Sequence, residues 1–385
     1  MRIGFLYNHD QIHQIAHSLP VALALAETGD AEVILAATNP QIVAEIQRIA
    51  GPARLRSLTL VRLDLARRSS IVASRLLNRV VPARKLLVLR DNIDFFRSLD
   101  ALVLTERTSL ILRNRYGLTS PKFILIDHGA GDRAIGFGPE VAQFDHILAA
   151  GPKIRDRMIG EAGVDPRRIT IVGYPKFDLG PPEPQRLPML QNGRLTVVYN
   201  PHPSPHLSSW YATGRRVLDY FYRSDRYNLI FAPHVMLFHR SLTVSIDRLR
   251  VARPGRIALK YFMAPHIHID LGSRFSTDMS YMATADLYLG DVSSQVYEFL
   301  RNRRPCLFLN AHGIRHAGDP NFAHWRTGQV IDTTADLDAA LGKALFLQRD
   351  IYRPIQDALF DYTFDLRETP SSLRAARAIR AIVTG

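Results

Sequence analysis

The chain has 385 residues, of which 46% are hydrophobic and 22% are charged, and its formal net charge is +13 with a pI near 10.1. These are globular values, and the length predicts two domains, each with a core of its own. A single cysteine excludes a disulfide framework and favours a reducing, cytoplasmic compartment, while the absence of any apolar run near 18 residues excludes a helix that spans the bilayer.

The first half of the chain alternates apolar strands with helical segments, starting from an N-terminus that is typical of a strand and not of a signal peptide. The predicted strands are RIGFLY, AEVILAA, LTLVRL, DALVLT, KFILID, DHILAA and RITIVG. Such near-continuous apolar strands, separated by helices, are typical of a parallel sheet covered on both faces. The Pro-rich stretch that follows, residues 180–188, is interpreted as a linker because proline fixes φ and lacks a donor.

The second half repeats the alternation. Its predicted strands are LTVVYNP, YNLIFAP, RIALK, HIHIDL, DLYLGD, RPCLFLN and GQVID, and its predicted helices lie near 207–224, 238–250, 276–284 and 294–301, with three more towards the C-terminus. We therefore predict an α/β protein with two doubly wound, Rossmann-like domains that face a cleft. The domains are residues 1–179 and 189–370, and a helix at 371–385 could cross back to the first. In such sheets, ligands bind beyond the carboxyl ends of the strands.

The stretch GDVSSQVYEF places polar residues at the carboxyl end of a predicted strand, where a helix begins. The amides of a first helical turn and the hydroxyls of Ser293 and Ser294 suit a phosphate group. Glu298 follows Ser294 by about one turn and could accept hydrogen bonds from a ribose. Together with Asp291, this pattern predicts a site for a nucleotide diphosphate. The alternative is that Ser294 only caps the helix.

Four segments in this order along the chain resemble the CDP-glycerol glycerophosphotransferase family, which builds and primes teichoic-acid-like polymers. They are LIDHGAG, VGYPKFD, LIFAPHV and ADLYLGDVSSQVYEFLRNRRPCLFL. The matching residues are His128 and Gly129 in the first, Gly173, Pro175, Lys176 and Asp178 in the second, His234 in the third, and Asp291, Ser293, Ser294, Arg304 and Pro305 in the fourth. They span about 125–310, under half of the chain. Val292 stands where the family has Tyr, and YNPHPSPH replaces a Thr/Arg-containing stretch.

The resemblance implies a glycosyltransferase-B fold and a transferase that moves glycerophosphate from CDP-glycerol to a hydroxyl of a lipid-linked or polymer acceptor. It implies that His128 is the base and that His234 holds the donor diphosphate, since a histidine can serve either purpose near neutral pH. Neither a metal nor a further cofactor is expected. The predicted phosphate contacts are Ser293, Ser294, Asp291, His202 and Ser204, and the predicted acceptor-side residues are Asp127, Gly129, Arg133 and His13.

Other functions fit parts of the same pattern. A glycosyltransferase that uses a UDP-sugar would need the same diphosphate turn and Glu298, and a nucleotide-sugar epimerase shares an Asp-x-small-small turn but would carry a second Glu in place of Tyr297. GAGDRA spells a dinucleotide fingerprint, yet it lies on a late strand and lacks the acidic residue expected about 20 positions on. A non-catalytic nucleotide-binding or membrane-scaffold protein is the alternative from another class.

Basic residues concentrate in residues 48–90, which contain eleven Lys or Arg and one acid, Asp64. Within this segment, LARRSSIVASRLLNRVV predicts a basic amphipathic helix, a type that binds anionic membrane surfaces. The alternative is a core-facing helix with a solvated basic face. The basic helix and a lipid-linked acceptor predict a peripheral protein on the inner face of the membrane. No nucleic-acid-binding motif is present, so no nucleic-acid partner is expected.

Overall fold

The structure, a computed structural model, describes residues 1–8, 12–77, 83–127, 129–180, 182, 185–239, 242–245 and 250–385. The predicted base His128 therefore lies outside the described residues. The chain forms two compact units. The first unit comprises residues 1–130, 137–180 and 361–385, and the second comprises 131–136 and 181–360.

The first unit contains a seven-stranded parallel sheet with the order β3-β2-β1-β4-β5-β6-β7. Its strands are β1 (Arg2–Tyr7), β2 (Glu32–Ala37), β3 (Thr59–Arg62), β4 (Ala101–Leu104), β5 (Lys122–Ile126), β6 (His146–Ala149) and β7 (Ile169–Ile171). Its helices are α1 (Ile15–Glu27), α2 (Pro40–Leu55), α3 (Arg68–Leu77), α4 (Ala83–Asp91), α5 (Ile93–Arg97), α6 (Ile111–Asn114) and α7 (Pro152–Gly160). All seven strands predicted for this half are confirmed.

Alternation along the strands gives this sheet two buried faces. Phe5 and Leu35 belong to one apolar cluster, whereas their chain neighbours Leu6 and Ile34 belong to another. Successive side chains of a strand point to opposite faces, so the two clusters are the cores on either side of the sheet. This is why the strands read as continuous apolar runs in the sequence.

The second unit contains a six-stranded parallel sheet with the order β12-β9-β8-β13-β14-β15 and a separate pair, β10-β11. Its strands are β8 (Leu195–Asn200), β9 (Tyr227–Phe231), β10 (Thr243–Ser245), β11 (Arg250–Ala252), β12 (Ile267–Ile269), β13 (Leu287–Gly290), β14 (Cys306–Leu309) and β15 (Gln329–Ile331). Its helices are α8 (Arg215–Arg223), α9 (Leu259–Phe262), α10 (Ser280–Thr284), α11 (Gln295–Phe299), α12 (Leu337–Leu347) and α13 (Arg353–Thr363), within which the chain returns to the first unit at Asp361. The predicted α/β class with two doubly wound sheets is confirmed.

Two predicted elements of this unit are wrong. The helix expected near 238–250 is replaced in the described residues by the antiparallel pair β10-β11. The strand expected at RIALK is also absent, and α9 begins within it. Leu259 is 73% exposed, so this run lacks the burial on both faces that a parallel strand requires.

The C-terminal helix α14 (Ser371–Thr384) lies in the first unit and packs against α1. Its contact face is formed by Ala375, Ala376 and Ile379, which are fully buried in the same cluster as Phe5. The last segment of the chain therefore completes the core on one face of the first sheet.

We predict that Ile379→Ala lowers the free energy of unfolding of the first unit by about 2–5 kcal/mol, because it removes buried methyl and methylene groups and leaves a cavity. Urea unfolding followed by circular dichroism measures this. The exposed neighbour Arg377 provides the control, since Arg377→Ala should stay within about 0.5 kcal/mol of the wild type. Equal losses for the two variants would contradict the packing of α14.

Candidate functional site

Residues 291–294, here called the serine turn, follow β13 at the carboxyl edge of the second sheet. Asp291 is fully buried, and its carboxylate accepts hydrogen bonds from the backbone N–H groups of His202 (2.9 Å), Ser209 (2.6 Å) and Val292 (2.7 Å) and from the hydroxyl of Ser209 (2.8 Å). Burial raises the pKa of Asp291, and these donors oppose the rise. The carboxylate thus faces inward and ties the serine turn to the loop after the neighbouring strand β8.

The two serines of the turn differ in their surroundings. Ser293 is buried, and its hydroxyl accepts a long bond from the N–H of Gln295 (3.4 Å). Ser294 is exposed and occupies the N-cap position of α11, where its side chain makes no capping bond. The predicted ribose ligand Glu298 lies further along α11 and is 8% exposed. Of the two predicted hydroxyls, that of Ser294 is the one open to solvent.

His202 lies in the loop after β8, next to a cation. Its Nε2 lies 3.1 Å from Nη1 of Arg133, and because a guanidinium only donates, Nε2 accepts this hydrogen bond. Burial, with Arg133 and three neighbouring histidines, holds the pKa of His202 well below its usual value. A guanidinium held against a neutral imidazole in this way suits an oxyanion such as phosphate.

His234 follows β9, the strand on the other side of β8. Its backbone N–H donates to the carbonyl of Pro201 (3.1 Å), and its Nδ1 accepts from the N–H of Met236 (3.3 Å). The rings of His202 and His234 have centroids 6.1 Å apart. The structure therefore brings together the predicted residues from the ends of β9, β8 and β13.

Arg133 reaches this site because the short segment Gly131–Gly136 packs in the second unit. An added Cβ at Gly131 would lie 3.0 Å from Cβ of Ser294, closer than such carbons ordinarily pack. The segment thus lies directly over the serine turn. Arg133 is predicted on the acceptor side, and in the structure its guanidinium lies at His202.

Four further residues of this site are not predicted from the sequence: Asp132, Tyr297, His324 and Trp325. Asp132 accepts from the hydroxyl of Tyr297 (2.6 Å) and from the backbone N–H of His324 (2.9 Å), and it lies 2.7 Å from Nδ1 of His324. The carbonyl of Asp291 accepts from Nε2 of His324 (3.0 Å) and from the indole N–H of Trp325 (2.7 Å). No short motif joins Asp132 to His324, which are 192 positions apart, so nothing local could have indicated them.

The other predicted acceptor-side residues follow or precede elements of the first unit. Asp127 and Gly129 come directly after β5, on either side of the undescribed His128, and His13 lies in a 3₁₀ turn before α1. His17 is buried in α1, edge-on to Tyr174 with centroids 5.4 Å apart. Within the described ranges, no group of three or more His, Cys, Asp or Glu side chains could hold a metal ion.

No family model and no curated protein matches the chain, but solved structures match it along its length. A structure of the wall teichoic acid polymerase TagF with CDPG has a TM-score of 0.62 at 14% identity and covers 100% of this chain and 88% of its own. A putative UDP-N-acetylglucosamine 2-epimerase from Listeria monocytogenes has a TM-score of 0.57 at 14% identity, with coverage of 99% and 95%. The S. aureus MnaA–UDP co-structure has a TM-score of 0.59 at 13% identity, with the same coverage. The fold is of the glycosyltransferase-B type.

We predict that the protein loses stability as the pH falls below about 6.5, because histidines with depressed pKa values bind protons in the unfolded chain before they do so in the folded one. His202, His146 and His268 have such depressed values. Each fully linked proton changes the free energy of unfolding by about 1.4 kcal/mol per pH unit. Urea unfolding between pH 5.5 and 7.5 measures the slope.

His202→Gln should reduce the slope of unfolding free energy against pH by the contribution of about one linked proton. The same change at the exposed His239 should leave the slope unchanged. A wild-type stability that rises towards pH 5.5 would show that the buried imidazoles do not set the dependence.

Proposed function

We propose that the protein is a transferase that binds a CDP-linked alcohol, CDP-glycerol by resemblance, and moves the phosphoalcohol to a hydroxyl of an acceptor. The observation that carries this proposal is the convergence of Ser294, His202 with Arg133, and His234 at the ends of three adjacent parallel strands. The carboxyl edge of a doubly wound sheet is where such folds bind nucleotides. The likeness in fold to a TagF structure with CDPG supports the same assignment.

The charges of the site suit a diphosphate. Arg133 supplies a full positive charge, and His202, whose pKa is depressed, holds that guanidinium without adding a second charge. His234 adds a donor at Nε2, since its Nδ1 is occupied by the N–H of Met236. The carboxylate of Asp291 points into the protein. The exposed side of the serine turn therefore presents hydroxyl and amide groups and no negative charge from Asp291.

The proposed reaction is an attack of the acceptor hydroxyl on the phosphorus that bears the alcohol. A new P–O bond forms, the bond to the bridging oxygen of the diphosphate breaks, and CMP leaves. The hydroxyl proton goes to a general base, and His128 is the residue that the family resemblance suggests. Arg133, held in place by His202, and His234 would stabilise the charge on the leaving phosphate.

A second candidate is an enzyme that uses a UDP-sugar. The MnaA structure in the comparison contains UDP, and another match is a putative UDP-N-acetylglucosamine 2-epimerase. The groups at the serine turn would hold the diphosphate of either donor. The nucleobase preference therefore separates the two candidates.

We predict that CDP and CDP-glycerol raise the melting temperature more than CMP does, and more than UDP does. A ligand at 100 times its Kd stabilises the folded state by about 2.7 kcal/mol, which a thermal-shift panel detects. Arg133→Ala should weaken CDP binding at least tenfold, because a hydrogen bond from a charged donor contributes about 1.5–3 kcal/mol. A preference for UDP would favour the second candidate.

Arg226→Ala is the matched control for that panel, since Arg226 pairs with Asp338 on the surface of the same unit. In an assay of CMP release with a glycerol-containing acceptor, His128→Ala should abolish turnover while CDP still binds. Unchanged turnover in His128→Ala would remove the proposed base.

We also propose that α3 contacts an anionic membrane surface. Val72 is 55% exposed and Leu76 is 72% exposed, and at 100° per residue Arg68 and Arg75 lie on the same side of the helix. Apolar side chains flanked by arginines suit the boundary of a bilayer rich in anionic lipids. No helix among the described residues is long and apolar enough to cross a membrane.

We predict that the double change Val72→Ser and Leu76→Ser lowers binding to phosphatidylserine-containing vesicles at least tenfold in a sedimentation assay. Phe346→Ser is the control, because Phe346 is 82% exposed on α12 and lies outside the basic segment. Binding of the wild type should weaken with added salt. Equal effects of the two variants would refute a specific contact through α3.

A further inference from the structure

The two ring nitrogens of His324 both face hydrogen-bond acceptors. Nε2 lies 3.0 Å from the backbone carbonyl of Asp291, and Nδ1 lies 2.7 Å from Oδ2 of Asp132. A carbonyl oxygen only accepts, so Nε2 must carry a proton. The carboxylate of Asp132 already accepts from the Tyr297 hydroxyl and from the N–H of His324, which leaves it as an acceptor towards Nδ1 as well.

We propose that Asp132 and His324 form a buried ion pair that positions the groups which bind the donor diphosphate, an inference that rests on the proposed function. The imidazolium and the carboxylate are both almost fully buried. A buried carboxylate needs a partner charge and satisfied hydrogen bonds, and the pair supplies both. Both side chains are buried and hydrogen-bonded within the protein, so we assign them a positioning role.

The pair acts in two directions. On one side, Asp132 fixes the segment Gly131–Gly136, and the next residue, Arg133, brings its guanidinium to His202. On the other side, Nε2 of His324 donates to the carbonyl of Asp291, at the start of the serine turn. The pair therefore fixes the guanidinium of Arg133 and the hydroxyls of the serine turn relative to each other.

The surroundings favour charge on the pair. Asp291 is a second buried carboxyl group nearby, and it is joined to His324 through its own backbone carbonyl. His202 is neutral because its pKa is depressed, and Arg133 faces His202. Among the described contacts around the pair, the Tyr297 hydroxyl and the Trp325 indole are neutral. An imidazolium thus offsets one of two buried carboxylates.

Nitrogen NMR of the full chain labelled with ¹⁵N-histidine tests the ion pair without any ligand. The ring-nitrogen signals of His324 are identified as those that disappear in His324→Gln. At pH 7.5 these signals should show that both ring nitrogens are protonated. An unprotonated Nδ1 would overturn the ion pair, whatever the protein does with nucleotides.

Binding of CDP and of inorganic pyrophosphate, measured by calorimetry, tests the positioning role. In His324→Gln, the new side chain can bond to only one of the two acceptors, the Asp291 carbonyl and the Asp132 carboxylate. Asp132→Ala removes the second of these acceptors. Each variant should therefore raise the Kd of CDP at least tenfold. The double variant should lose little more than either single one, because residues that act as a unit are not additive. If Asp132→Ala fails to fold, Asp132→Asn keeps the side-chain volume and should weaken binding in the same direction.

Asp91→Ala is the matched control for lost stability. The Asp91 carboxylate is also buried, and it accepts from the N–H groups of Ala66 and Arg67 and from the hydroxyl of Ser70, all in the first unit. This variant should melt earlier and bind CDP as the wild type does. If the Asp132 and His324 variants behave in the same way, the positioning role is refuted while the proposed function stands. A wild type that binds neither CDP, UDP nor pyrophosphate would refute the proposed function and the positioning role together.

Discussion

The geometry of the second unit depends on one buried carboxylate. Asp291 stands at the end of β13 and accepts from the backbone of the loop that follows β8. Hydrogen bonds to an ionised group contribute about 1.5–3 kcal/mol each, so the four donors of Asp291 fix both chain segments firmly. These bonds hold the serine turn against the loop that carries His202.

The same residue is held from the opposite side by its carbonyl. His324 and Trp325 both donate to that oxygen, and His324 connects it to Asp132. A residue whose side chain and backbone are both occupied is unsuited to bind a ligand directly. Its effect is to orient hydroxyl and amide groups around it, and this fits a site in which a polar scaffold presents neutral donors and one guanidinium to an anion.

The charge of the protein has two separate consequences. At the candidate site, the positive charge is concentrated on Arg133, and the neighbouring His202 is kept neutral by burial. On α3, by contrast, exposed arginines flank exposed apolar side chains. A long-range positive field attracts anionic surfaces and substrates alike, whereas selectivity between them requires local geometry, which differs at the two places.

The sequence by itself determined the strand and helix alternation, the α/β class, and the ends of strands where Ser294, His202 and His234 lie. These follow from local periodicity and from the rule that parallel sheets bind ligands at their carboxyl edge. It did not determine the β10-β11 pair, which lies where a helix was predicted. Only the tertiary structure brought Arg133 to His202 and Asp132 to His324, because contacts between residues 69 and 192 positions apart leave no local pattern in the chain.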